Sequence, residues 1–424
     1  MKSRFQELSE RIEDIKVVDV HNHLNPTALS LKSYEDVIFY EYIRVELRTS
    51  GMREEILEKE RGPKKLEKAL PYLRFLRNTT TYWSLLRILK DLYGFQGNNI
   101  DENNWRDVIE LLEAKRGDEE WAKSIIKDRA RISKSILTFS PLDEIPIYDP
   151  EIFSGTLRMD PIIPNLSRES LQRLEEILGF EITTPQTLSD ALTELVKKFS
   201  KHIVSVTINI NSDENYLGLI ASEKDIKQHL MILRNTGVID KYGRAAINAY
   251  LLNRLMEICD SYKLVVQLML GVRKPVPGSS PPDYAITAFN PSQLIDLTTL
   301  FARYPEIKFD VFIADKLLNH PLTVISKNYP NVFLSGYWWY SMYPETIKSY
   351  LRMRLQILPY SKMGGFFSDA CVAEWVYGRT VLIKKQIAHV LAEMISEGYI
   401  SQDTALEISE ALLHENSERI YKLR

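Results

Sequence analysis

Cysteine is nearly absent from this chain: only Cys259 and Cys371 occur in 424 residues. Two thiols so far apart in sequence make no disulfide framework, and the count fits a reducing compartment. Long apolar runs are missing too. No stretch approaches the roughly 18 uncharged apolar residues of a membrane-spanning helix, so no membrane span is expected. The first two dozen residues are charged and helical in pattern, so a secretory signal is not expected either. The cytoplasm is the expected location. An excess of positive charge is also lacking: 54 lysines and arginines stand against 57 aspartates and glutamates, a formal net charge of −3. No basic stretch is large enough to follow a phosphate backbone, and nucleic acid is not an expected partner.

What remains is the balance of a globular protein, with 45% hydrophobic and 26% charged residues. A chain of this length is long for an ordinary domain but normal for a barrel carrying an insertion. A short amphipathic helix, roughly Ser3 to Asp14, leads into an apolar strand at Lys16–Val20 that runs into His21-Asn22-His23. From about Ser33 to Ala130 apolar residues recur at three- and four-residue spacing, which predicts a helical insertion after the first strand. Short β-branched stretches then alternate with helical patterns. They are Ser135–Phe139, Gly155–Leu157, Ile203–Ile210, Leu264–Leu270, Phe309–Ile313, Asn331–Ser335 and Gly365–Phe367, and they make eight strands with the first. Helical patterns at Leu188–Phe199, Ala245–Tyr262 and Pro291–Arg303 lie between several of them, and Arg379–Leu423 is helical throughout. Eight strand–helix units predict a (β/α)8 TIM barrel, with residues 1–424 forming one domain.

Side chains two apart on a strand point to the same side, so His21 and His23 converge, with Asp19 one step deeper. Two imidazoles at the C-terminal end of a barrel strand suit a divalent metal. The competing reading makes one a capped core residue and the other a turn residue. The third ligand comes from Gly364-Gly365-Phe366-Phe367-Ser368-Asp369, where a glycine-led strand ends in a carboxylate. As strand eight it closes beside strand one and brings Asp369 to both histidines; alternatively, Asp369 is the N-cap of the final helix.

At these residues the sequence resembles the amidohydrolase superfamily, and within it the uronate isomerases. Asp19-Val20-His21-Asn22-His23-Leu24 is similar to that family's opening Asp-x-His-x-His-Leu motif. The helical segment from Tyr42 to Met52 resembles the family's Tyr-Lys-Trp-Arg-x-Met-Arg-x-x-Gly, keeping Tyr42, Arg48 and Gly51. Arg158 and Asp160 match its Phe-Arg-Pro-Asp stretch, Trp338-Trp339 its Trp-Trp pair, and Ser368-Asp369 with Arg379 its Thr-Asp-Ser-Arg segment and downstream arginine. Departures accompany the matches: Cys371 replaces an arginine, Met269 a histidine, Glu41 a histidine and Val45 an arginine.

The resemblance implies a metal-dependent isomerase that interconverts aldose and ketose forms of a sugar acid or a related small carboxylate. One divalent metal would sit on His21, His23 and Asp369. Zinc is favoured by affinity order, with manganese, iron and cobalt as alternatives. Asp369 would act as base, Tyr42 as proton donor or relay, and Arg158 as the two-pronged clamp on the substrate carboxylate. Arg48, Arg379, Trp338 and Trp339 complete the expected substrate wall, with Arg379, Arg273 or Arg48 standing in for the arginine lost at Cys371. Against these roles, Tyr42 also reads as a packing residue and Arg158 as half of a surface ion pair. Cys371 reads as a small buried residue. His202, His229, His389 and His414 read as structural, while His320, after the sixth strand, is a candidate to approach the site. Two further functions compete with the isomerase: a mononuclear hydrolase or lyase (decarboxylase) of the same superfamily, and a barrel that binds a ligand without catalysis. The amphipathic faces of the insertion suit a homo-oligomer or a lid.

Overall fold

The computed structural model describes residues 4–276 and 285–423. Eight parallel strands form one curled sheet, ordered β1 to β8 as the chain runs. They are β1 (Val17–Asn22), β2 (Ile132–Phe139), β3 (Phe153–Arg158), β4 (Ile203–Ile210), β5 (Val265–Leu270), β6 (Phe309–Ile313), β7 (Val332–Ser335) and β8 (Met363–Gly364). The circle closes between the last strand and the first. Phe366 bridges Asp19 in parallel register, and the Val20 amide donates to the Phe366 carbonyl at 3.2 Å. The chain is a (β/α)8 barrel, as its strand–helix alternation predicts.

Every predicted strand is present, with its ends moved by a few residues. β1, β5, β6 and β7 are buried at every position. Helices cover such a sheet outside and side chains fill it inside, so valine, isoleucine, leucine and phenylalanine run almost unbroken along these strands. β8 differs most. Its regular pairing with β7 stops at Gly364, where Gly365–Phe367 was predicted to be strand. A Cβ built on Gly365 would lie 1.8 Å from the Leu412 carbonyl oxygen, so the C-terminal segment is seated directly on this backbone. A two-stranded ribbon, Val272–Arg273 with Ile286–Thr287, was not foreseen in the sequence.

Between β1 and β2 the chain is helical, from Glu35–Ile38 to Glu119–Ser124 and a π turn at Ile125–Arg129, as the periodicity predicts. After β8 come the 24-residue helix Ala373–Ser396, the helix Gln402–Glu410, a π turn at Ala411–Glu415 and a last helix, Asn416–Tyr421. The first helix, Arg4–Glu13, packs against Ala373–Ser396, with the Phe5 and His389 rings stacked at 4.0 Å. Among the described residues no helix is long and apolar enough to cross a membrane.

Candidate metal and substrate site

His21 is the penultimate residue of β1, and His23 lies just past its end. The chain after β8 runs alongside them. The Asp369 amide donates to the His21 carbonyl at 3.1 Å, and the His23 amide to the Ala370 carbonyl at 2.8 Å. Asp19 ties the two segments together from beneath: it accepts from the Ser368 amide at 2.9 Å and the Ser368 hydroxyl at 2.6 Å. Burial pushes the Asp19 carboxyl up to about 7, against the lowering effect of those Ser368 bonds. Asp369 has a φ of 53°, in the left-handed region that Asp tolerates better than most residues.

One nitrogen or oxygen each from His21, His23 and Asp369 lies within 4.8 Å of the others. Hydrogen bonds behind the rings assign the tautomers. Thr138 donates its hydroxyl hydrogen to the Asn22 carbonyl at 2.9 Å, so its oxygen is free to accept from His23 Nδ1 at 2.6 Å. Gln267 donates through Nε2 to the Val20 carbonyl and the Tyr421 hydroxyl, so Oε1 is the atom that meets His21 Nδ1 at 3.1 Å. Each imidazole therefore has an acceptor behind its Nδ1, the arrangement that leaves Nε2 for a ligand once a metal is bound. Burial, and after it the neighbouring His23, lowers His21 to about 3, so this ring is neutral at neutral pH. At Asp369, burial works upward, but the hydrogen bonds from His23 and from the Tyr42 hydroxyl work downward, and the carboxyl is held below its usual range. Two imidazoles and an ionised carboxylate fit one divalent cation with coordination positions left open.

Tyr42 donates to Asp369 Oδ2 at 2.8 Å, and Tyr40 to the Asp369 carbonyl at 3.0 Å. Burial, and then the Asp369 charge, raises the Tyr42 phenol well above its ordinary value, so it stays a donor. The reading of Asp369 as a helix N-cap is overturned. The helix starts at Ala373 after Val372, and the Asp369 carboxylate turns to His23 and Tyr42 instead.

These groups open into a cavity of about 500 Å³ at the C-terminal mouth of the barrel, walled also by Arg158, Trp338, Trp339 and Cys371. Asp160 pins Arg158: its Oδ2 accepts from Arg158 Nε at 2.7 Å, while its Oδ1 accepts from the Asn209 amide at 2.8 Å. Arg158 itself lines the cavity. Trp338 is buried and Trp339 faces the space beside it, with ring centroids 5.8 Å apart.

Two expected substrate arginines are not in the wall. Arg379 is buried behind Tyr42, its guanidinium 4.7 Å from the centre of that ring. Arg48 is forked onto Glu54, at 2.5 and 2.8 Å, and is not among the residues lining the cavity. Arg273 pairs with Asp213 and is not among them either. Cys371 is exposed and lines the cavity, which overturns its reading as a buried filler. His320 lies in the helix Asn319–Asn328 and does not line the cavity.

Several residues went unread in the sequence. Lys274 lines the cavity, with its ammonium 5.4 Å from the centre of the Trp339 ring, and Asn209 and Asn211 line it at the end of β4. The β4–β5 position offered a signal for the asparagines, since barrel active sites are built from residues just past strand ends. Nothing in the sequence pairs Thr138 or Gln267 with a histidine.

Fold and site together define the class: a (β/α)8 barrel with a His-x-His pair at the end of strand one and, facing it, an aspartate from the segment after strand eight. No family model matches the chain. It is 19% identical over 452 residues to the uronate isomerase of Thermotoga maritima, covering 98% of this chain and 96% of that protein. It is 24% identical to the uronate isomerase of Brucella melitensis over 132 residues, 31% of this chain and 28% of that protein. Among solved structures, the uronate isomerase of Thermotoga maritima superposes with a TM-score of 0.89 at 15% identity, over 99% of this chain and 97% of that one. The glucuronate isomerase of Caulobacter crescentus gives 0.87 at 16% identity, over 99% and 94%. Over its whole length the chain is similar to uronate isomerases.

Proposed function

We propose that this chain is a metal-dependent isomerase of the uronate isomerase type, interconverting aldose and ketose forms of a sugar acid or a related small carboxylate. The observation that carries the reading is the convergence of His21, His23, Asp369 and Tyr42 on one cavity that also holds Arg158. The end-to-end similarity to uronate isomerases supports it.

His21, His23 and Asp369 would hold one divalent metal, with zinc favoured by affinity order. When bound, such a cation polarises the substrate carbonyl and stabilises the negative charge that develops on its oxygen. Arg158, braced by Asp160, meets the substrate carboxylate with its free guanidinium edge. Lys274 is the second cation of the cavity and takes over what the buried Arg379 and the outward Arg48 do not supply. Asp369 accepts the proton from the carbon next to the aldehyde. Tyr42 donates at the carbonyl oxygen, Asp369 returns its proton to the former aldehyde carbon, and the hydroxyl proton on the neighbouring carbon goes back to Tyr42 as the ketone forms. Trp338 and Trp339 form the apolar wall against the sugar ring edge.

Residues 1–424 act in this reading as one barrel unit with the helical insertion at about 33–130. Cys259 and Cys371 are both free thiols, which suits a cytoplasmic setting. Pairing into a homo-oligomer through the insertion is part of the same proposal. The hydrolase or lyase alternative would use the same metal site, and no feature of the cavity favours it.

The test is an NMR-followed incubation of metal-loaded protein with D-glucuronate and D-galacturonate. Appearance of the matching ketose supports the reading. Full metal loading with no isomerisation of either acid sinks it and moves the chemistry to the alternatives.

A further inference from the structure

The last helix, Asn416–Tyr421, follows a π turn and enters the barrel from the N-terminal end, opposite the cavity. Three contacts seat it. Asn416 donates to the Tyr360 and Met363 carbonyls, both at 2.8 Å, and Lys308 donates to the carbonyls of Arg419 at 2.9 Å and Ile420 at 3.1 Å. The Leu412 carbonyl lies against Gly365 so closely that no side chain fits between them. The result is that Tyr421 sits inside the barrel, buried among Val18, Val20, Phe312 and Phe367.

Its hydroxyl has two partners. It donates to Asp310 Oδ2 at 2.6 Å and accepts from Gln267 Nε2 at 2.9 Å. Gln267 Nε2 also donates to the Val20 carbonyl at 2.8 Å, so both amide hydrogens are engaged and the amide is held one way round. Its Oε1, which accepts from Thr207 as well, is thereby turned to His21 Nδ1 at 3.1 Å. An amide turned the other way would offer N–H to Nδ1, force the hydrogen onto Nε2, and remove the lone pair that faces the cavity.

We infer that Tyr421 is a positioning residue for His21: the chain's C-terminal segment, acting through Gln267, sets which nitrogen of that histidine is available to the metal. The inference rests on the metal reading of the site given above. It makes the tail part of the site's construction rather than a plug that only fills the barrel floor. A hydrogen-bond partner behind a metal-bound histidine typically accounts for 10- to 100-fold in metal affinity, on the order of what loss of this hydroxyl should remove.

The experiment uses full-length protein labelled with ¹⁵N-histidine, metal-free, as wild type and as Tyr421→Phe, with zinc affinity then measured by chelator competition. Long-range ¹H–¹⁵N spectra of wild type should show His21 protonated on Nδ1. Tyr421→Phe, which keeps the ring and the packing, should populate the Nε2–H form and bind zinc about 10- to 100-fold more weakly. A variant with wild-type zinc affinity and an unmoved tautomer overturns the inference. So does a wild-type spectrum with His21 protonated on Nε2, which decides the matter even if the variant does not fold. If wild type takes up no zinc, the metal reading fails, and the tautomer comparison alone then decides the role of Tyr421.

Discussion

The Tyr42 hydroxyl donates to Oδ2 of Asp369 across 2.8 Å, while the other oxygen of that carboxylate stands 3.3 Å from His23 Nε2. One aspartate thus serves the helical insertion and the metal pair at once. Removing the Tyr42 hydroxyl leaves Oδ2 without its donor but keeps the ring against Arg379. For Tyr42→Phe, turnover on the uronate should fall by about 10- to 100-fold while the protein remains folded. Steady-state kinetics at saturating metal check this. A variant with wild-type turnover returns Tyr42 to the packing role that its helical position also allows.

Arg158 should act mainly on binding. Its Nε is tied to Asp160, and only a planar guanidinium can keep that bond while presenting two further donors. Arg158→Lys should raise KM for the sugar acid by roughly 10-fold or more, with a smaller change in kcat. Lys274→Ala should act in the same direction. The readout is KM for the acid beside KM for the corresponding neutral sugar; equal changes for both would remove the carboxylate from the argument.

Much of this was legible in the sequence, for identifiable reasons. The strands were readable because a parallel barrel buries both faces of each one, which writes β-branched runs such as Ile203–Ile210 and Phe309–Ile313 into the chain. The convergence of His21, His23 and Asp369 was readable because two-residue spacing on β1 and closure of β8 onto β1 bring them together by topology alone. Arg48 and Arg379 were misplaced because helix periodicity says which residues share a face, not which way that face turns. Arg379 belongs to the buried side of Ala373–Ser396, and Arg48 points to Glu54. The partners that fix the histidines were invisible for another reason. Thr138, Gln267 and Tyr421 come from separate elements, and only three-dimensional closure brings them to His23 and His21.

Gly365 should be nearly intolerant of substitution. The methyl group of Gly365→Ala would meet the Leu412 carbonyl at 1.8 Å, backbone against backbone, so the tail must lift. The expected cost is about 2 kcal/mol or more, seen as a lowered midpoint of thermal unfolding. A midpoint equal to wild type would mean that the tail is not seated on β8 as described.

Stability should carry a pH signature from Glu374. Its Oε1 accepts from the Tyr93 hydroxyl at 2.6 Å, and burial, against that bond, pushes the carboxyl up from 4.5 to about 7. Because the folded value lies above the unfolded one, the stabilising protonated form is fully present below about 4.5 and its benefit is lost as pH rises through about 7. Glu374→Gln keeps an acceptor for Tyr93 without the charge. It should therefore exceed wild type in stability near about pH 8, by up to about 3 kcal/mol, with the gap closing toward about pH 5. Denaturation at several pH values checks this; a gap that does not change with pH contradicts it.

The central claim is that His21, His23 and Asp369 hold one divalent metal, and elemental analysis tests it most directly. Purified wild type, reconstituted with zinc or manganese and freed of excess ion, should retain about one equivalent per chain. His21→Ala, His23→Ala and Asp369→Ala, treated identically and shown to be folded, should each lose it. Wild type that retains no metal, or three folded variants that retain as much as wild type, would contradict the account.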